Sequence, residues 1–273
     1  MVKFSKFLGI LSEPIEKFYK LGNVTGLSPS YIIREAVDIN NPEAKVFVRS
    51  LEWDSIEAKP EEYLNVLKNL KNIDHQNISG IIHFYSDLQF LYIVTENTNG
   101  LYLQEYIEAN TWSEELVVII IHQILDAVRY LHNYGFLNNN ITPKSIKIDP
   151  ETLEIKLENF DLPYKFEGPA SKFIDYKSGS RVTLKSLKDD LRSICLILSK
   201  ISTKKDEITK DFMKKCWLKD KDQRITIDQA LKHNVFNFRS TEKSIYKNGE
   251  TRIWSLSSIH DSINSSISEF FVF

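Results

Sequence analysis

The hydrophobic period of the chain changes once, near Gly100, and that change limits what it can fold into. Before it, short runs alternate apolar with polar residues: Tyr31 to Val37, Lys45 to Leu51 after a turn at Asn40-Asn41-Pro42, Ile81 to Phe84, and Leu91 to Thr95. A period of two puts successive side chains on opposite faces, so these runs predict a hairpin and a small sheet, with one helix inserted from about Glu61 to Leu70. After Gly100, Ser113 opens an apolar stripe at steps of three and four through Ile124, Val128 and Leu131 that stops at Gly135, the pattern of a capped amphipathic helix. Ser145 to Ile148 and Glu154 to Leu157, split by Asp149-Pro150, predict a second hairpin. Helices are predicted at Leu187 to Ile201, Thr209 to Trp217 and Thr226 to His233, with a polar, Ser-rich tail from about Thr241. Upstream, Phe4, Phe7, Leu8, Leu11, Ile15 and Phe18 have helical spacing that Pro14 would break or restart. The order predicts an α+β fold of two lobes, a small β-rich one with one main helix and a mostly helical one.

Charge narrows the partners. Lys and Arg number 35 against 37 Asp and Glu, and no basic stripe is interleaved with aromatic residues, so nucleic acid is not an expected partner. The longest apolar run, Val117 to Ile121, is far shorter than the roughly 18 residues of a membrane span, and no membrane association is expected. Met1-Val2-Lys3 has neither a lipidation glycine nor the layout of a secretory signal, which points to a cytoplasmic or nuclear protein. Cys195 and Cys216 stand far apart without paired ligand spacing, so neither zinc nor a disulfide framework is expected, and Cys195 reads as a core filler. His122 and His132 also lack metal-ligand spacing, and Trp112, Trp217 and Phe236 read as core residues.

Several stretches carry a resemblance. Tyr130-Leu131-His132 followed by Pro143, then Asp190-Leu191-Arg192-Ser193-Ile194, then Lys221-Asp222-Gln223-Arg224-Ile225-Thr226 with Gln229-Ala230-Leu231-Lys232-His233, are similar to landmarks of the eukaryotic protein kinases. Together with Asp74-His75-Gln76-Asn77-Ile78 they span residues 21–238, and the last helical match is most like the calcium/calmodulin-dependent group. The resemblance implies an N-terminal extension at 1–20, an N-lobe at 21–97, a shortened C-lobe at 98–240 and a tail at 241–273. It also implies that Asp190 braces the catalytic loop. The terminal Phe270-Phe271-Val272-Phe273 resembles a tail motif that some kinases fold onto the small lobe, and it equally fits a frayed hydrophobic end.

Kinases position a nucleotide and neutralise its charge with a strand lysine, metal-holding side chains, a base and a glycine loop. Arg49 stands at the lysine position, and Phe47 stands where an alanine would floor the adenine pocket. Arginine is not equivalent to a lysine point charge at a crowded site. Taking Ile33 as reference, Gly26, Ser28 and Tyr31 stand where three glycines would, and Pro29 removes a further backbone donor, although Gly22 and Gly26 permit another register. The helix glutamate falls on Glu61, Glu62 or Tyr63. Asn138-Asn139-Asn140 occupies the catalytic-loop position, and Asn140 cannot accept a hydroxyl proton as a carboxylate does. Thr142 and Ser145 stand where the family's lysine and its metal-binding asparagine would be. Asn159-Phe160-Asp161 replaces the magnesium-binding aspartate with an amide and adds a carboxylate two residues on. Glu158 or Asp161 could replace the lost carboxylate only with a register shift in the hairpin. The activation segment lacks Ala-Pro-Glu, so Arg224 lacks the partner it has in the family, and only a short connection lies between Ile201 and Thr209.

These substitutions predict a pseudokinase: an inactive kinase-like domain with no cofactor or metal that acts as a scaffold or allosteric partner of another protein, such as an active kinase or other signalling protein. The alternative is a weak or atypical Ser/Thr protein kinase, for which ATP and magnesium would be needed, with Lys45, Arg49 and Asp161 as rearranged nucleotide contacts.

Overall fold

The computed structural model describes residues 14–28, 31–55, 64, 67–98, 100–134, 136, 141–158, 184–202, 206–220, 223–236, 245–247 and 250–252. The chain divides into two compact units, Met1–Lys232 and His233–Phe273. Within the second, two short strands, Ile245–Lys247 and Glu250–Arg252, pair antiparallel.

The first unit begins with a five-stranded antiparallel sheet: β1 (Tyr19–Ser28), β2 (Tyr31–Asp38), β3 (Lys45–Glu52), β4 (Ile81–Ser86) and β5 (Phe90–Glu96), in the order β1-β2-β3-β5-β4. The β2–β3 hairpin and both later strands lie where the alternating pattern predicts them. The start of the sheet does not: it opens twelve residues before Tyr31, because Gly22 and Gly26 sit inside β1, which is irregular between Leu21 and Gly26. The helical spacing from Phe4 to Phe18 ends in a single 3-10 turn at Ile15–Lys17, just after Pro14. Its earlier members, Phe4, Phe7, Leu8 and Leu11, lie outside the described residues, as does most of the predicted helix from Glu61, of which 64 and 67–70 are helical.

Alternation along the strands gives the sheet two different faces. One packs Val46, Val48, Tyr85, Tyr92 and Val94 against Ile15 and Tyr19, so the residues just before β1 belong to this core. Phe18 stacks on Tyr85 at 4.7 Å between ring centroids. The other face presents Ile33, Phe47, Arg49, Ile93 and Thr95 to a cavity.

Helices dominate the rest of the unit. A three-stranded sheet, β6 (Leu101–Tyr102), β7 (Ile146–Ile148) and β8 (Ile155–Leu157), lies beside α1 (Leu103–Ala109) and α2 (Glu114–Asn133). Gly100 precedes β6 at φ +114°, where a Cβ would stand 2.3 Å from the Ile148 carbonyl oxygen, so both conformation and space require glycine. Ser113 caps α2 by accepting the Leu116 N–H at 3.2 Å, as the sequence predicts. The α2 stripe from Leu116 to Leu131 is buried. Then come α3 (Leu184–Ile201), α4 (Glu207–Trp217), capped by Asp206, and α5 (Ile227–Leu231). Thr226 and Gln229 exchange side chain-to-backbone bonds of 3.2 and 2.8 Å at the start of α5.

Buried polar contacts join these pieces. Asn77 donates to Gln123 Oε1 at 2.8 Å and to the Ile155 carbonyl at 2.9 Å, and His75 meets Asp126 at 3.3 Å, tying the turn before β4 to α2 and β8. His132 and Asp190 meet at 2.8 Å with both side chains buried, which holds α2 to α3. Arg224 is also buried and is not left without partners: it donates to the Leu218 carbonyl at 3.1 and 2.9 Å, to the Lys188 carbonyl at 2.8 Å and to Asp189 at 3.2 Å. Backbone oxygens thus stand in for the glutamate that the resemblance led us to expect. Trp217 corrects another expectation, being 39% exposed with the Arg192 guanidinium 5.0 Å over its ring, whereas Trp112 is buried. Cys195 and Cys216, distant in sequence, are neighbours between α3 and α4, and both are buried. A hydrogen bond between the two free thiols holds Cys195 below the usual thiol range and, with burial, pushes Cys216 up.

Ile15→Ala should lower stability by about 2–5 kcal/mol in chemical denaturation, the cost of emptying a fully buried aliphatic site; an unchanged midpoint would remove residues 14–18 from the core. Asp126 supplies a pH test. Burial raises its carboxyl, but the His75 bond and the Arg129 guanidinium outweigh this and hold it below the usual range. A depressed folded-state pKa contributes stability that is present above the unfolded value, about 3.9, and lost as pH falls through the folded value. Asp126→Asn should therefore cost about 1–3 kcal/mol at pH 7, and the difference from wild type should shrink as urea titrations are taken below pH 4.

Candidate functional site

Three of the residues singled out by sequence, Ile33, Phe47 and Arg49, line a cavity that Tyr102 and Glu158 bound on the other side. β3 is held in register by both neighbours, with Phe47 opposite Glu35 and Thr95, and Arg49 opposite Ile33 and Ile93. Phe47 and Arg49, two residues apart, therefore face the cavity together, as their spacing predicts. Gly26, Ser28 and Tyr31 lie around the tip of the β1–β2 hairpin, with Gly26 paired to Ile33 and Ser28 to Tyr31. Tyr31 is drawn towards the cavity side: the Arg49 guanidinium sits 4.7 Å from its ring centroid.

Glu158 lines the cavity opposite the sheet, and Lys147 lies behind the Phe47 ring in a neighbouring pocket; the sequence reading assigned neither to the site. Lys147, at the centre of β7, is 7% exposed. Its ammonium lies 4.4 Å from the Phe47 ring centroid and 5.5 Å from that of Tyr102, and it donates to the Thr98 carbonyl at 3.0 Å. Glu158 follows β8, is buried, stands 3.4 Å from the Lys147 ammonium and accepts a bond from the Thr98 hydroxyl. Glu158 reaches the cavity with no slip of the hairpin, since Leu157 stays paired to Ile146 and the Glu158 N–H bonds the Ser145 carbonyl at 2.8 Å. In this unshifted register the Glu158 carboxylate is engaged by Lys147 and Thr98. Burial, and then the Glu158 charge, push the Tyr102 phenol up to about 12.

With these side chains in place the cavity encloses about 40 Å³. That is room for one water molecule, whereas pockets that enclose small organic ligands run to roughly 300–1,000 Å³.

Thr142 and Ser145 are used locally. The Ser145 hydroxyl, on a side chain 4% exposed, donates to the Thr142 carbonyl at 2.9 Å and accepts the Thr142 N–H at 3.0 Å, closing the 3-10 turn at Pro143–Ser145. Asn138, Asn139, Asn140, Asn159, Asp161, Pro29, the helix-glutamate candidates Glu61, Glu62 and Tyr63, and the terminal Phe270 to Phe273 lie outside the described residues. Among the described residues no group of three or more His, Cys, Asp or Glu side chains could hold a metal ion, and no helix is long and apolar enough to cross a membrane.

A sequence signal for Lys147 exists. A lone lysine between two isoleucines in a three-residue strand breaks an otherwise apolar run, and such a charge in a buried strand needs a partner. Its partner Glu158 is eleven positions away, across the hairpin, which local pattern reading does not connect.

Comparison with known proteins places this geometry. Over 174 residues the chain is 26% identical to a probable myosin light chain kinase of Dictyostelium discoideum, covering 62% of this chain and 44% of that protein. It is 23% identical over 133 residues to calcium/calmodulin-dependent protein kinase type 1 of Macrobrachium nipponense, covering 48% of this chain and 39% of the relative. Maternal embryonic leucine zipper kinase of Xenopus laevis is 26% identical over 157 residues, 57% of this chain and 24% of the relative. The chain thus spans less than half the length of each of these relatives. A crystal structure of Rad53 1-466 in complex with AMP-PNP superposes with a TM-score of 0.68 at 19% identity, over 86% of this chain and 70% of that one, which establishes the two-lobed α+β fold. The protein kinase domain family matches residues 39–183, just over half of the 273 residues, and the chain belongs to that family.

Proposed function

We propose that this chain is a kinase-like domain without phosphoryl-transfer activity, and that it works by binding another protein, such as an active kinase or another signalling protein. The observation that carries the reading is the cavity of about 40 Å³ beneath Phe47. A purine ring does not fit there while Phe47 holds its position, so the residues that line this cavity do not suit the adenine nucleotide that the family implies. The altered chemical positions argue the same way. Asn140 and Asn159 are amides where a proton acceptor and a metal carboxylate would stand, and the Ser145 hydroxyl is committed to the turn with Thr142. Meanwhile the contacts that build the frame, His132 with Asp190 and Arg224 with the Leu218 and Lys188 carbonyls, are formed. A frame kept with its chemistry removed suits a domain whose product is a surface.

The runner-up, a weak Ser/Thr protein kinase, draws on the names of the relatives, all of them kinases. The test separates the two. Purified protein should show no thermal shift with ATP and magnesium and no transfer of labelled phosphate to itself or to a generic protein substrate. Restoring both carboxylates with Asn140→Asp and Asn159→Asp should leave transfer at background, because the cavity is unchanged. Transfer by the wild-type protein would establish the weak kinase instead.

A further inference from the structure

Resting on the reading that the cleft takes no nucleotide, we propose that Lys147 is an internal ligand of that cleft: Thr98 and Glu158 hold its ammonium in the space against Phe47, and that contact ties the C-lobe to the five-stranded sheet. The argument starts from where each contact comes from. Phe47 belongs to β3 of the five-stranded sheet, Thr98 to the segment that leaves β5, and Lys147 and Glu158 to the β7–β8 hairpin. One ammonium therefore touches three separate parts of the fold, donating to the Thr98 carbonyl at 3.0 Å, pairing with Glu158 at 3.4 Å and lying 4.4 Å from the Phe47 ring centroid. The Thr98 hydroxyl closes the ring by donating to Glu158.

A buried cation persists only where a carboxylate, a carbonyl or an aromatic face replaces its water, and Lys147 has all three. The Phe47 ring stands between the small cavity and the Lys147 ammonium, which lines the neighbouring pocket with Thr98. The bulky side chain at position 47 is thus only half of the closure, and truncating it leaves the ammonium held by Thr98, Glu158 and Tyr102. The lobes are joined here by the chain itself, so their closure requires no nucleotide.

The test uses adenosine, which needs neither metal nor phosphate contacts, with binding read by thermal shift and by saturation-transfer NMR. Four proteins are compared: wild type, Phe47→Ala, Lys147→Met/Glu158→Gln, and the triple combination. The neutral pair keeps size while avoiding a stranded charge. Adenosine should bind the triple variant at least about tenfold more tightly than Phe47→Ala, and wild type not at all. Lys147→Met alone should lower the Tm by about 6 °C or more by leaving Glu158 buried without its cation, and adding Glu158→Gln should recover most of that loss. The tie is overturned if Phe47→Ala binds adenosine as well as the triple variant does, or if Glu158→Gln recovers nothing. It is also overturned if the triple variant melts cooperatively yet binds no adenosine. These failures leave the inactivity of the wild-type protein standing, whereas phosphate transfer by wild type strikes that reading first.

Discussion

A charged amine nearly sealed from water at the junction of two lobes is the constraint around which the cleft is arranged. Taking an ammonium out of water costs several kcal/mol, about the net stability of an ordinary domain. Lys147 is therefore tolerable because Glu158 and the Thr98 carbonyl replace its water, with the Phe47 ring beside it. Each of those groups depends on a different part of the fold: the β3 register for Phe47, the chain leaving β5 for Thr98, and the β7–β8 pairing for Glu158. Loss of the carboxylate strands the charge, whereas loss of the Phe47 ring leaves it held by Glu158, Thr98 and Tyr102.

The contacts outside the cleft have a different logic. The bonds of His132 with Asp190, of Arg224 with its surrounding carbonyls and of the Asn77 amide N–H groups with α2 and β8 are made within the chain, and none of them uses a nucleotide or a metal. Arg224 illustrates how such a frame survives a change elsewhere. Its donors can be met by any acceptors with suitable geometry, here the Lys188 and Leu218 carbonyls and the Asp189 carboxylate. On the proposed reading, the family's fold is kept for its surface while the catalytic positions are released to drift.

Much of this was legible in the sequence where local physics decides. The β2–β3 hairpin follows from alternation on either side of an Asn-Asn-Pro turn, α2 from Ser113 and its stripe, and α5 from the Thr226–Gln229 pair. The shared direction of Phe47 and Arg49 follows from a two-residue step on one strand. What escaped was set by long-range contact. β1 carries Gly22, Asn23 and Gly26, poor strand formers that are held in place by pairing with β2. Trp217 reads as core by hydrophobicity, yet it lies at the end of α4 under the guanidinium of Arg192. Lys147 and Glu158 form a site only after the hairpin has closed.

The central claim is that the cleft is filled from within, and a crystal soaked in ATP and magnesium would test it most directly. The account predicts unchanged density there, with the Lys147 side chain on the Thr98 carbonyl and the Phe47 ring over it. An ordered triphosphate with its metal ion, and Lys147 swung out of the way, would contradict it.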